Sequence, residues 1–150
     1  MFDPSIFAFG VGALALAVVA YLVLRIQRQD SGTQRMKEVA GYIAIGTNAY
    51  LSRQVKTIGL VIPWLFIALW LAFGSWTAVA FLSGVVLSIV AGYIGMNVAI
   101  RSNVRTTNAA RGSMASAFRT AFLGGSVTGL SVTALSLLAL CTLRTAFGNL

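Results

Sequence analysis

Side-chain chemistry usually starts from carboxylates, histidine or an activated thiol. In this sequence those groups are few: Asp3, Asp30, Glu38 and Cys141, with no histidine anywhere. General acid–base work needs such a group within reach of a substrate, and these are poorly placed for it. Asp3 precedes the first apolar run, Asp30 lies in the linker Asp30-Ser31-Gly32, and Glu38 sits among Arg35 and Lys37 as part of a surface ion-pair cluster. Serines and threonines are numerous, but none has a candidate base in the sequence. The glycines do not form a phosphate-cradling G-x-x-x-x-G-K-[ST] loop. With one cysteine and no histidine, disulfide frameworks and Cys/His metal sites are excluded. Tyr50 and Lys56 are placed to meet an anion at a membrane surface, where a lipid headgroup is the simplest partner. The residues themselves therefore nominate no catalytic, cofactor-binding or metal-binding position.

The elements that would position any site are membrane helices. Hydrophobic residues make up 58% of the 150, charged residues 9%, and the mean hydropathy is +0.87. A soluble domain carries about 25% charged residues, so most of this surface must face lipid. The net charge of +8 is confined to the flanks of apolar stretches, which is the pattern of membrane orientation and not of a nucleic-acid face. Ser5–Leu24 is an uncharged run of 20 residues, enough to cross about 30 Å of hydrocarbon. Arg25 and Arg28 follow that run instead of preceding it, which fits an uncleaved first span and not a signal peptide.

Thr57–Ile100 contains 44 residues without a formal charge, about twice what one span needs. It must fold back, and Gly74-Ser75-Trp76 is the expected reversal, giving spans near 58–73 and 77–100. Thr120–Leu143 supplies a fourth span. Met36, Val39, Ala40, Ile43, Tyr50 and Leu51 recur at helical steps, so 34–56 reads as an amphipathic helix able to run straight into the second span. Pro63 removes one backbone bond there, an interruption that membrane helices tolerate. The basic segment 101–119 is expected to prolong the third and fourth spans into water, with a break near Arg111-Gly112-Ser113. Ten of the eleven Lys/Arg residues fall in the two connections and only Arg144 on the opposite side. That bias places the connections in the cytoplasm and both termini outside. The fold class is all-α and integral to the membrane, a single domain of four spans with helical cytoplasmic extensions.

Lipid offers little hydrophobic drive for helix association, so small residues that permit close approach carry much of the packing. Three stripes are expected to act as seams: Gly10, Ala13, Ala17 and Ala20; Gly84, Ser88, Gly92, Gly95 and Ala99; and Gly125/Ser126, Gly129, Thr133 and Ser136. A pathway lined by Ser126, Thr128, Ser131 and Thr133 is the functional alternative for the last helix. The second span, with Trp64, Phe66, Trp70 and Phe73, suits a lipid-facing position. No ionisable side chain lies inside the spans, which argues against these helices alone moving ions.

Two segments resemble a known family. Met36-Lys37-Glu38-Val39-Ala40 followed by Ile45-Gly46-Thr47-Asn48-Ala49-Tyr50-Leu51-Ser52-Arg53-Gln54-Val55-Lys56-Thr57-Ile58 is similar to the second-helix region of ion-translocating membrane pyrophosphatases. Asn103-Val104-Arg105-Thr106-Thr107-Asn108-Ala109-Ala110-Arg111, then Ala117–Gly129, resembles that family's stretch around its fourth helix. Asn48 and Val55 stand where the family usually has Ala and Tyr. The resemblance implies a pump that couples hydrolysis of magnesium pyrophosphate to movement of protons or sodium ions, working as a homodimer in a bacterial inner or plasma membrane. It also implies that the Asp- and Lys-rich substrate and metal motifs belong to the remainder of the pump polypeptide, so pyrophosphate and Mg2+ would be partners only of the full-length protein. Arg105, Arg111 and Arg119 would support the cytoplasmic face that handles the anion. On this basis the chain is expected to be the N-terminal membrane part of such a pump, inactive alone. A free-standing four-helix accessory protein or small oligomeric transporter, or a nonfunctional remnant, is the alternative.

Overall fold

The computed structural model describes residues 4–148, and they form four helices: α1 Pro4–Gln27, α2 Gln34–Phe73, α3 Ser75–Ala110 and α4 Met114–Phe147. All four are long and apolar enough to cross a bilayer, and no strand occurs among the described residues. α2 is 40 residues, about 60 Å at roughly 1.5 Å per residue, so it far exceeds one bilayer core. The amphipathic segment and the second span are thus one helix, which runs unbroken through Pro63. The excess lengths of α2, α3 and α4 all lie at the same end, beside the α1–α2 loop and the α3–α4 turn.

Local chemistry sets each boundary. The Thr33 hydroxyl caps α2 by accepting from the Met36 N–H at 3.4 Å, and the Ser113 hydroxyl caps α4 by accepting from the Ser116 N–H at 3.2 Å. Between α2 and α3 the chain reverses at a single residue, Gly74, whose φ of 88° suits only glycine. Its N–H donates to the Trp70 carbonyl at 2.9 Å, so even this turn leaves little backbone unsatisfied.

The helices lie in the spatial order α1, α4, α3, α2, an open layer in which α1 also touches α3 while α2 packs on α3 alone. α4 is therefore the central strut. Its inward residues Ala117, Thr120, Gly124, Val127, Ser131 and Ala134 recur at steps of three and four, and Cys141 follows seven positions on, the repeat of about 3.5 that keeps one seam facing a neighbour. Val127 meets Val19, Leu22 and Ile26 of α1 and Val98 of α3 in the apolar core. Where α3 and α4 come closest, small residues make room: a Cβ on Gly95 would stand 2.8 Å from Thr128 Cγ2, and one on Gly124 would be 2.8 Å from Ser102 Cβ.

This seam corrects two of the three expected stripes. Gly10, Ala13, Ala17 and Ala20 are all exposed, and α1 instead packs through Gly12, Val19, Leu22 and Ile26. In α4 the exposed residues are Gly125, Gly129, Thr133 and Ser136, one position away from the Gly124 that makes contact. On α3, Gly95 is buried and Ala99 half-buried as expected, but Gly84, Ser88 and Gly92 are open. Three- and four-residue spacing marks a face that another backbone can approach; it does not say which face this chain fills with its own helices. α2 buries no residue, and Trp64, Trp70 and Phe73 stand outward, in line with its aromatic composition.

Candidate functional site

The polar interactions that join distant parts of the chain gather at the loop end of the layer. Arg105, on the extension of α3, donates through Nε to the Gln29 carbonyl at 3.1 Å, through Nη2 to the Gln27 carbonyl at 3.2 Å, and through Nη1 to the Arg101 carbonyl at 2.8 Å. One planar guanidinium thus satisfies carbonyls at the end of α1 and in the following loop. One turn on, the Asn108 amide donates to the backbone carbonyl of Asp30 at 3.3 Å and to its carboxylate at 3.2 Å. The other Asp30 oxygen accepts from the Gly32 N–H at 3.0 Å. Gly32 needs to be glycine twice over: its φ is +79°, and a Cβ would stand 2.9 Å from the Asn108 side chain.

These contacts set the titration of the pair. The Gly32 N–H is the largest influence holding Asp30 below the usual carboxylate value, with Asn108 and the charge of Lys37 adding to it. Burial lowers Arg105, the nearby Arg101 charge lowers it further, and Asp30 offsets part of this.

Beside the clamp is a cavity of about 360 Å³ between α1, α3 and α4. Arg25, Arg105 and Arg119 line it together with Asp30, Ser116 and Thr120. The structure therefore brings together Arg105 and Arg119, two of the arginines singled out by sequence, and leaves the third, Arg111, at the C-terminal cap of α3 outside the cavity lining. Arg25 was missed because a basic residue after an apolar run reads as an orientation signal. Its only distinguishing feature in sequence is that it ends a span whose neighbours also end in arginine.

The remaining candidates stay apart. Glu38 pairs with Arg35 at 3.2 Å on the exposed surface, a contact of small energetic weight. Asp3 lies outside the described residues. Tyr50 and Lys56 are exposed on α2, away from the cavity lining. Cys141 is buried in the α4 seam. The four hydroxyls considered for a pathway do not converge: Ser131 is buried and donates to the Val127 carbonyl at 2.7 Å, while Thr133 is exposed and donates to the Gly129 carbonyl at 3.0 Å. Ser126 and Thr133 share one side of the helix by their seven-residue spacing, and Thr128 and Ser131 lie on another. The described residues contain no group of three His, Cys, Asp or Glu side chains. The cavity lining offers one carboxylate, Asp30, among three arginines, a donor set that does not fit a magnesium site.

Four spans, long projecting helix ends and a basic cavity at one end define a multi-pass membrane protein. A family model described as inorganic H+ pyrophosphatase matches residues 13–149, and the chain belongs to that family. Among curated relatives, it is 42% identical over 140 residues to a "K(+)-insensitive pyrophosphate-energized proton pump" of Methanosarcina mazei, covering 92% of this chain and 21% of the relative. It is 44% identical over 139 residues to "K(+)-insensitive pyrophosphate-energized proton pump 2" of Moorella thermoacetica, covering 92% and 20%. A "K(+)-stimulated pyrophosphate-energized sodium pump" of Thermotoga maritima is 39% identical over 152 residues, covering 99% of this chain and 21% of the relative. The chain thus spans about a fifth of the length of these relatives.

Proposed function

We propose that this chain is the N-terminal membrane scaffold of a pyrophosphate-energised ion pump, inactive by itself and completed by the rest of the pump polypeptide. The observation that carries this reading is the match of nearly the whole chain to one fifth of proteins named as such pumps. The sequence supports it from the other direction: three acidic residues in 150 and no histidine leave too few groups to bind magnesium pyrophosphate or to pass an ion. What the chain contributes is the layer itself, with Arg105 and Asn108 fixing the α1–α2 loop against α3. Dimerisation of the completed pump, its use of magnesium pyrophosphate and its place in a bacterial plasma membrane are what the family resemblance implies. The test is transplantation into a relative. Alone with magnesium and pyrophosphate the chain is expected to release phosphate no faster than background, and clear turnover would overturn the reading.

The orientation follows from charge. Ten Lys/Arg residues at the loop end against Arg144 at the other support a cytoplasmic loop end with both termini outside. In a Cys141→Ala background in intact cells, Thr33→Cys and Thr107→Cys are expected to resist an external impermeant thiol reagent, while Ser75→Cys reacts. The reverse labelling pattern would sink the assignment.

A further inference from the structure

We infer that the cavity between α1, α3 and α4 binds a phosphate-bearing anion, namely the headgroup of an anionic phospholipid. Its arginines, Arg25, Arg105 and Arg119, come from three different helices and meet one carboxylate, Asp30, whose oxygens already accept from Gly32 and Asn108. Among the described residues the one ion pair is Arg35–Glu38, so the cavity's positive charge is not neutralised by a salt bridge within the chain. Arg105 still has N–H groups beyond the two that hold the loop and the one on the Arg101 carbonyl, and Arg25 and Arg119 are exposed. Guanidinium forks match phosphate oxygens, and basic pockets between membrane helices at the headgroup level are where anionic lipids are held.

Depth and the adjoining surface favour a lipid over a soluble anion. Arg25 directly follows the uncharged run of α1, and Leu123 forms part of the wall, so the cavity sits where hydrocarbon gives way to water. Tyr21, Val18 and Leu14 continue from Arg25 down the same face of α1, one, two and three turns below it, and all three are exposed. A headgroup held by the arginines would lay its acyl chain along this apolar ladder. A cavity of about 360 Å³ accommodates a glycerophosphate group.

The experiment is native mass spectrometry of the full chain in detergent, offered phosphatidylglycerol, phosphatidylcholine or inorganic phosphate. One phosphatidylglycerol is expected to be retained in preference to phosphatidylcholine. Arg25→Gln/Arg119→Gln is expected to weaken that retention by about 30-fold, from roughly 1 kcal/mol for each arginine removed at the headgroup level. Arg25→Lys/Arg119→Lys keeps the charge and should recover most of it, and Arg53→Gln on α2, outside the cavity lining, should change nothing. Both cavity variants alter exposed side chains, so helix content should match the parent. Equal retention of phosphatidylglycerol by the Gln variant, or equal retention of the two lipids by the parent, would overturn the site. Binding of inorganic phosphate without phosphatidylglycerol would overturn the lipid assignment in favour of a soluble anion.

Discussion

Gly124→Leu is expected to separate α3 from α4 and cost this chain more stability than any other single glycine replacement in its spans. At Gly124 the helices approach so closely that a new Cβ would collide with Ser102 Oγ and lie 2.8 Å from its Cβ. Ser102 cannot step aside freely, because it is buried and its hydroxyl donates to the Thr120 carbonyl at 3.3 Å. Even Gly124→Ala must shift the seam, at about 1–3 kcal/mol for an overpacked core. Leucine should exceed that range. The neighbouring Gly125→Leu is the control: a Cβ there meets nothing within 4 Å, so its effect on the isolated chain should stay within about 0.5 kcal/mol. Thermal unfolding in detergent reads both. Ser102→Gly should rescue Gly124→Ala, since it removes the colliding atoms. Equal loss at Gly124 and Gly125 would contradict the packing described.

The second large effect is at Arg105. Arg105→Ala should release the α1–α2 loop and cost roughly 2–3 kcal/mol, a discounted sum for partly exposed charge-assisted bonds that leaves the Gln27 and Gln29 carbonyls to find water. Amide exchange over residues 28–33 should rise at least about tenfold, which is 1.4 kcal/mol of local opening. Arg105→Lys should recover less than half, because an ammonium cannot span carbonyls two residues apart and a third on its own helix. Asp30 gives the same loop a pH dependence. Its folded pKa is lowered, so its contribution is present above the unfolded value of about 3.9 and is lost as pH falls through the folded one. Loop protection, measured as exchange relative to the intrinsic rate at each pH, should therefore be flat near neutrality and fall only in acid, and Asp30→Asn should remove that acid step.

Much of this architecture could be read from sequence because bilayer thickness constrains it. The 44-residue uncharged run had to reverse, and Gly74 offered a place near its middle where φ could turn positive without strain, with Trp76 beside it suited to the interface. The Arg111-Gly112-Ser113 break and the fusion of 34–56 with the second span follow from charge, capping and the lack of a breaker before Pro63. The seams were not legible in the same way. Gly124 and Gly125 are adjacent and chemically identical, and only the partner surface, Ser102 here, decides which is used. The loop clamp was hidden for another reason: the acceptors of Arg105 are backbone carbonyls, which carry no residue signature. Its motif, Asn103-Val104-Arg105-Thr106, marked the family without revealing that Arg105 holds the preceding loop.

The central claim, that this chain is the scaffold fifth of a pyrophosphate-driven pump, is tested most directly by a graft. The matching fifth of the Thermotoga maritima sodium pump is replaced by this chain, and pyrophosphate-dependent sodium uptake is measured in membrane vesicles. Uptake is expected from the graft, and none from this chain alone or from the truncated relative. A graft that inserts and accumulates like the parent pump, yet neither hydrolyses pyrophosphate nor takes up sodium, would contradict it.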